Sequence, residues 1–190
     1  MTSTIDVKSL LDPDEILRAE FAYARDTALQ ANADRTQVVN LYLILVGGLG
    51  SVLLGIPALA RGEGIALPRA AFGFILLMIG VLGLFSVLKL IRLRQAWRDS
   101  VLCMNHIKDF YLSYYPEMAP AFRWRTETIP LAGDVGTISF DLSVLVALID
   151  SLAVGAGVLF FGAALPLAVV AGAGFMAAQA WLYFRLLAAS

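Results

Sequence analysis

The chain alternates long apolar stretches with polar ones. Three stretches contain no charged residue, namely residues 41–60, 70–88 and 151–184. An uncharged apolar run of about 18 residues or more is long enough for a membrane-spanning helix. The third stretch has room for two such helices. The pattern therefore predicts a membrane protein that crosses the bilayer several times.

We place the first span at 38–60 and the second at 70–88, with Arg61-Gly62-Glu63-Gly64 in the short connection between them. Residues 162–166 divide the last apolar region into spans at 142–163 and 167–184, because glycine and proline interrupt helices. One long helix is the alternative there. Each span is long enough for a hydrocarbon core of about 30 Å. The short connections predict two hairpins.

Lysine and arginine are distributed unevenly between the two sides of these spans. All of them except Arg61 and Arg69 lie before the first span, between the hairpins or after the last span. Positive residues are enriched in cytoplasmic segments of membrane proteins. The distribution predicts that both termini are cytoplasmic, including a flexible N-terminus at 1–12 and a short C-terminus at 185–190.

Two cytoplasmic helices are predicted to extend the first hairpin. Asp12-Pro13-Asp14-Glu15 has a capping residue, a proline at the first helical position and a glutamate three residues after the cap. We therefore predict a helix at 13–37 that continues into the first span. A second helix at 89–115 follows the second span and ends before Pro116.

The two cytoplasmic helices carry complementary stripes. Small residues occupy the centre of a four-three repeat on the first, and large residues form the stripe on the second. We predict an antiparallel coiled-coil stalk, with two separate helices on the membrane surface as the alternative. The first stripe is Leu17, Phe21, Ala24, Ala28, Ala31, Arg35, Val38 and Tyr42, and the second is Leu93, Trp97, Met104, Ile107, Tyr111 and Tyr114.

Residues 116–141 are predicted to form an irregular cytoplasmic or interfacial loop, since they contain three prolines and two glycines. The cluster Phe122-Arg123-Trp124-Arg125 has the composition of an interfacial anchor, with rings at headgroup depth and guanidiniums on phosphates. A binding loop for an anionic ligand is the alternative.

Composition narrows the function classes. Hydrophobic residues make up 59% of the chain and charged residues 15%, whereas soluble domains have roughly 25% charged residues. The net charge of -1 offers no basic excess for nucleic acid. A single cysteine, Cys103, and a single histidine, His106, make a metal site unexpected. The spans hold no nucleophile with a base, so we expect no enzyme activity and no cofactor.

Asp150 is the residue with the clearest functional signal. It lies eight residues into the third predicted span, where an ionisable side chain is costly and is by default a functional hypothesis. Asn40 and Gln179 are its polar companions in the first and fourth spans. We expect a proton-relay carboxyl, a cation site or a partner for another polar group. A solvated carboxyl near a boundary is the alternative.

Small residues recur every four positions in two spans. Such faces let membrane helices approach closely. They predict close packing and, less directly, a homo-oligomer. The first face is Gly47, Ser51 and Gly55, and the second is Ser143, Ala147, Ser151 and Gly155.

The sequence therefore predicts an all-α, polytopic integral membrane protein with four transmembrane helices in two hairpins and a cytoplasmic helical extension. Three functions compete: an oligomeric ion-conducting or permeabilising pore with a sensing stalk, a scaffold whose stalk binds a cytoplasmic partner, and a small proton-coupled transporter or accessory subunit. The lipid bilayer is the partner common to all three, and nucleic acid is not expected.

Overall fold

The computed structural model describes residues 12–63 and 69–188, with side chains at 12–55 and 69–188. Within these ranges the chain folds into α-helices and short 3-10 helices, without strands. The α-helices are α1 (Pro13–Glu63), α2 (Arg69–Tyr114), α3 (Ile138–Phe160) and α4 (Leu165–Ala188), and the 3-10 helices are Pro116–Ala121 and Thr126–Thr128.

The first helix begins where the sequence signature predicts. The Asp12 carboxylate accepts a hydrogen bond from the backbone N–H of Asp14 at 2.9 Å, which satisfies one of the free donors of the first turn. From Pro13 the helix continues without a break to Glu63. The segments predicted at 13–37 and 38–60 therefore lie in one helix. Likewise, α2 contains the predicted span 70–88 and the helix predicted at 89–115, which ends one residue earlier, at Tyr114.

The last two helices differ from their predicted bounds. Thr137 caps α3 by accepting the N–H of Phe140 at 3.3 Å, so residues 138–141 are helical and not part of the loop. The helix stops at Phe160, before Gly162, which has a φ of 87° that only glycine adopts readily. Pro166 lies in the first turn of α4, where a missing N–H costs no hydrogen bond.

All four helices are long and apolar enough to cross a membrane, with mean hydropathies between 1.6 and 2.6 in their most apolar windows. This supports a multi-pass membrane protein. The share of residues in each window that is buried inside the protein ranges from 11% in α1 to 39% in α3.

The chain divides into two compact units. Unit 1 contains the described residues up to Asn32 together with Ala96–Pro130, and unit 2 contains Ala33–Gln95 with the described residues from Leu131 onward. In unit 2, all four helices and the segment before α3 contribute to one hydrophobic core. Its members are Val39, Tyr42, Val87, Leu90, Ile91, Ala132, Val146, Ala147, Tyr183 and Leu187.

Unit 1 is held by contacts between the start of α1 and the second half of α2. Tyr111 donates to the Asp14 carboxylate at 3.3 Å, and the Cys103 thiol lies 3.7 Å from Glu20 Oε1. The small residues Ala24, Ala28 and Ala31 of the predicted stripe are buried. Lys108 adds a contact with the loop, since its Nζ donates to the Trp124 carbonyl at 3.2 Å.

Candidate functional site

Asp150 lies in the interior of unit 2 and is fully buried. The start of α3 is fixed by its Thr137 cap, and Asp150 lies just past the middle of that helix. Gln179 of α4 donates from Nε2 to Asp150 Oδ1 at 2.9 Å, and the Ser151 hydroxyl donates to the same oxygen at 3.4 Å. The structure thus places Gln179, one of the two polar companions predicted from the sequence, in hydrogen-bond contact with Asp150.

Glycine on α2 makes room for the carboxyl group. A Cβ atom built on Gly83 would overlap the Asp150 side chain, including Oδ2. Three residues earlier, a Cβ on Gly80 would overlap Val154 of α3. Glycine is therefore required at both positions for α2 to approach α3 this closely.

The fourth helix to reach the site is α1. Tyr42 is buried, and its hydroxyl lies within electrostatic range of the Asp150 carboxyl. Among the described residues at the site, Tyr42 is the titratable neighbour of Asp150, whereas α2 contributes Gly80 and Gly83 and α4 contributes Gln179. Among the described residues, Asp150 forms no ion pair with a lysine or arginine.

Several oxygens at this site lack a hydrogen-bond partner within the described part of the chain. They are Asp150 Oδ2, Gln179 Oε1 and the Tyr42 hydroxyl. A buried polar atom without a partner is uncommon in folded proteins and calls for a bound proton, ion or water. The three oxygens together have the chemistry to bind a proton or a small hard cation.

Comparisons with protein family models, curated proteins and solved structures find no match to this chain. The chemistry of its own residues therefore carries the functional interpretation.

Asn40, the other predicted companion of Asp150, does not join the site. Its side chain is exposed, whereas Val39 and Tyr42 are buried. Successive residues of an α-helix are rotated by about 100°, so position 40 points away from the face that positions 39 and 42 share. Polarity within a predicted span was thus an insufficient signal, and the four-three stripe ending at Tyr42 was the better guide.

The two small-residue faces have different surroundings. On α3, Ser151 and Gly155 pack against α4, since a Cβ on Gly172 would lie 2.8 Å from the Ser151 carbonyl oxygen and one on Gly155 would lie 3.0 Å from that of Ala168. Ala147 is buried in the core. On α1, a Cβ added at Gly47 or Gly55 would have no neighbouring atom within 4 Å, and Ser51 is exposed. The homo-oligomer stays a prediction.

The predicted anchor Phe122-Arg123-Trp124-Arg125 lies in unit 1. Trp124 is 69% exposed and Arg123 is exposed, whereas Phe122 and Arg125 are half-buried. Phe122 lines a cleft of about 350 Å³ that also contains Arg18, Arg25 and Lys108. The exposed tryptophan suits an interfacial anchor, and the basic cleft suits an anionic ligand, so both interpretations stay open.

Sequence reasoning missed several residues of the site. Tyr42 was recognised as part of a packing stripe but not as a neighbour of Asp150. Gly83 was not singled out, although Gly73, Gly80 and Gly83 are unusual in an otherwise bulky span. Spacing along one helix shows which residues share a face, but it does not show which residue of another helix that face meets.

Proposed function

We propose that this chain is a multi-pass membrane protein in which Asp150 binds and releases a proton inside the bundle of its own four helices. A proton-coupled transporter, or an accessory subunit of one, uses an intramembrane carboxyl in this way. The observation that carries the proposal is the full burial of Asp150 among residues of α1, α2 and α4, with Oδ2 unpaired within the described residues.

The contacts also support the predicted topology. In unit 1, Asp14 contacts Tyr111 and Glu20 contacts Cys103. As the residue number increases along α1, the number of the contacting residue in α2 decreases. The same relation holds for α3 and α4, where Asp150 contacts Gln179, and the rings of Phe140 and Tyr183 meet edge to face with their centroids 5.7 Å apart. Both relations are those of antiparallel neighbours. We propose two hairpins, a helical extension in unit 1 and cytoplasmic termini.

The pore hypothesis fits Asp150 less well. A ring of carboxylates in an oligomeric pore requires each carboxylate to face an axis between chains. Asp150 instead faces α2 and α4 of its own chain, and its relative exposure is 0%. Within one chain, Asp150 can bind a proton in its observed position, without any rearrangement of the helices.

Infrared difference spectroscopy of the purified chain in lipid nanodiscs tests the proposal. We expect acidification to produce the carbonyl stretch of protonated carboxyl groups and Asp150→Asn to lose one component of it, because the amide keeps the shape of the side chain but binds no proton. Asp141→Asn is the matched control, since Asp141 is on the same helix and exposed. The proposal would be contradicted if the carbonyl stretch were the same in Asp150→Asn as in the wild type.

The scaffold hypothesis predicts a different result. A scaffold needs its spans only as an anchor, so Asp150→Asn should then leave the phenotype of the cell unchanged, while deletion of residues 13–35 should abolish it. The proton-binding proposal expects Asp150→Asn to cause a loss of function. Complementation of a deletion strain with the two variants distinguishes the hypotheses.

A further inference from the structure

The unpaired polar atoms of unit 2 are not scattered through its interior. Among the described residues, the buried side-chain atoms of this unit without a hydrogen-bond partner belong to five residues. We call these residues the polar file. They are Tyr42, Ser139, Asp150, Gln179 and Tyr183.

The polar file extends from Asp150 towards one end of the bundle. Ser139 precedes Asp150 by eleven residues, which is about 16 Å along α3. Tyr183 follows Gln179 by one helical turn, and its ring meets the ring of Phe140 edge to face near the start of α3. Its hydroxyl lies near the side chains of Thr137 and Ser139. Tyr183 and Ser139 thus continue the file from Asp150 to the beginning of α3.

Two arginines stand at the outer end of the polar file. Arg94 donates from Nε to the Ala132 carbonyl at 3.5 Å and from Nη2 to the Leu131 carbonyl at 3.4 Å. Arg35 and Arg94 are both buried, and both act electrostatically on Tyr183. A proton can pass along the polar file by exchange between hydroxyl groups and bound water.

The interior on the other side of Asp150 has a different composition. Beyond Ser151, the described buried positions of α2, α3 and α4 are apolar or glycine, and the helices are in close contact there. These positions are Gly73, Ile79, Gly80, Ala153, Gly157, Ala168 and Gly172. A Cβ on Gly73 would come within 2.7 Å of the Phe161 ring. Among the described buried positions of α2, α3 and α4 on this side, no side chain offers a proton acceptor that continues the file.

We propose that Asp150 exchanges its proton with one side of the membrane only, through the polar file that opens where α3 begins. This inference rests on the proposed function and adds to it the route by which the proton reaches Asp150. Unpaired buried hydroxyls and amide oxygens are the groups that ordered water is expected to bridge.

Time-resolved infrared spectroscopy after a pH jump tests the route. Tyr183→Phe removes the hydroxyl and keeps the ring. We expect it to slow the appearance of the Asp150 band by about tenfold, equivalent to about 1.4 kcal/mol in the barrier, without moving the pH midpoint. Ser139→Ala is the second variant, should Tyr183→Phe unfold. Ser86→Ala is the control, since Ser86 bonds to the Leu82 carbonyl outside the polar file.

Sidedness is tested in sealed vesicles whose external pH alone is changed. Val135 lies just before α3 and is 67% exposed. In a chain with Cys103→Ser and Val135→Cys, the single cysteine is at position 135, and its reaction with a membrane-impermeant thiol reagent shows whether this position faces outward. We expect a fast Asp150 response only in vesicles where position 135 faces outward. A fast response in both orientations, or unchanged rates in both file variants, would overturn the inference. A band that never responds to pH would instead overturn the proposed function.

Discussion

Cys103 shows how a single neighbour changes the chemistry of a side chain. This thiol lies outside the predicted spans, and burial, followed by the nearby Glu20 carboxylate, raises its pKa. The thiolate is the reactive form of cysteine, and a second negative charge beside it is unfavourable. Because Cys103 is the chain's single cysteine, its reactivity can be measured without interference from another thiol.

Glu20→Gln is therefore expected to accelerate alkylation of Cys103. Loss of the carboxylate lowers the pKa of the thiol, so the thiolate fraction at mildly alkaline pH should rise by roughly threefold. The rate with a maleimide at several pH values measures the effect. Glu15→Gln is the matched control on the same helix. Equal rates for wild type and Glu20→Gln would show that the 3.7 Å contact does not form in solution.

Among individual side chains, the sequence identified the unusual ones more reliably than their neighbours. Asp150 and Gln179 were both recognised because polar groups inside apolar spans are costly. Tyr183 and Ser139 were not, because a tyrosine or serine near a span end is ordinary in composition. Tyr183 and Ser139 stand out only because their hydroxyl groups are buried without a hydrogen-bond partner among the described residues. That burial depends on the packing of several helices.

Helix packing between α3 and α4 depends on individual glycines. A methyl group at position 172 would lie 2.8 Å from the Ser151 carbonyl oxygen, whereas position 174, half a turn away, has no atom within 4 Å. The first position faces the partner helix and the second does not. The two glycines therefore form a matched pair for substitution.

We expect Gly172→Ala to lower the free energy of unfolding by about 1–3 kcal/mol through overpacking, and Gly174→Ala to leave it nearly unchanged. Unfolding in mixed detergent micelles, followed by circular dichroism, measures both variants. A Gly172→Ala chain as stable as wild type would indicate that α3 and α4 are farther apart than the structure gives.

Among the helices, the apolar runs and the Asp12 cap were enough to predict four long elements and the start of α1. The ends of α3 and α4 were less predictable. Gly162 ends α3 through its backbone conformation, and Pro166 begins a helix instead of breaking one. Proline has either effect depending on its position in the helix, which the sequence pattern leaves open.

Across the molecule, polarity is distributed in two ways. Along the sequence, charged residues are concentrated outside the apolar runs. Within unit 2, buried polar groups extend from Asp150 towards the start of α3, whereas the opposite half is apolar and rich in glycine. The first distribution is evident in the sequence and supports a membrane protein. The second requires the packed helices and supports a proton site with a single route of access.

The proposed function requires that one chain by itself forms a proton-binding site at Asp150. Carboxyl carbon NMR of a chain labelled at aspartate, in nanodiscs that hold one copy each, gives the sharpest test of this requirement. We expect one buried aspartate resonance that shifts with pH, is absent in Asp150→Asn and remains in Asp141→Asn. A resonance that shifts only in discs with several copies, or that never shifts, would contradict the proposal.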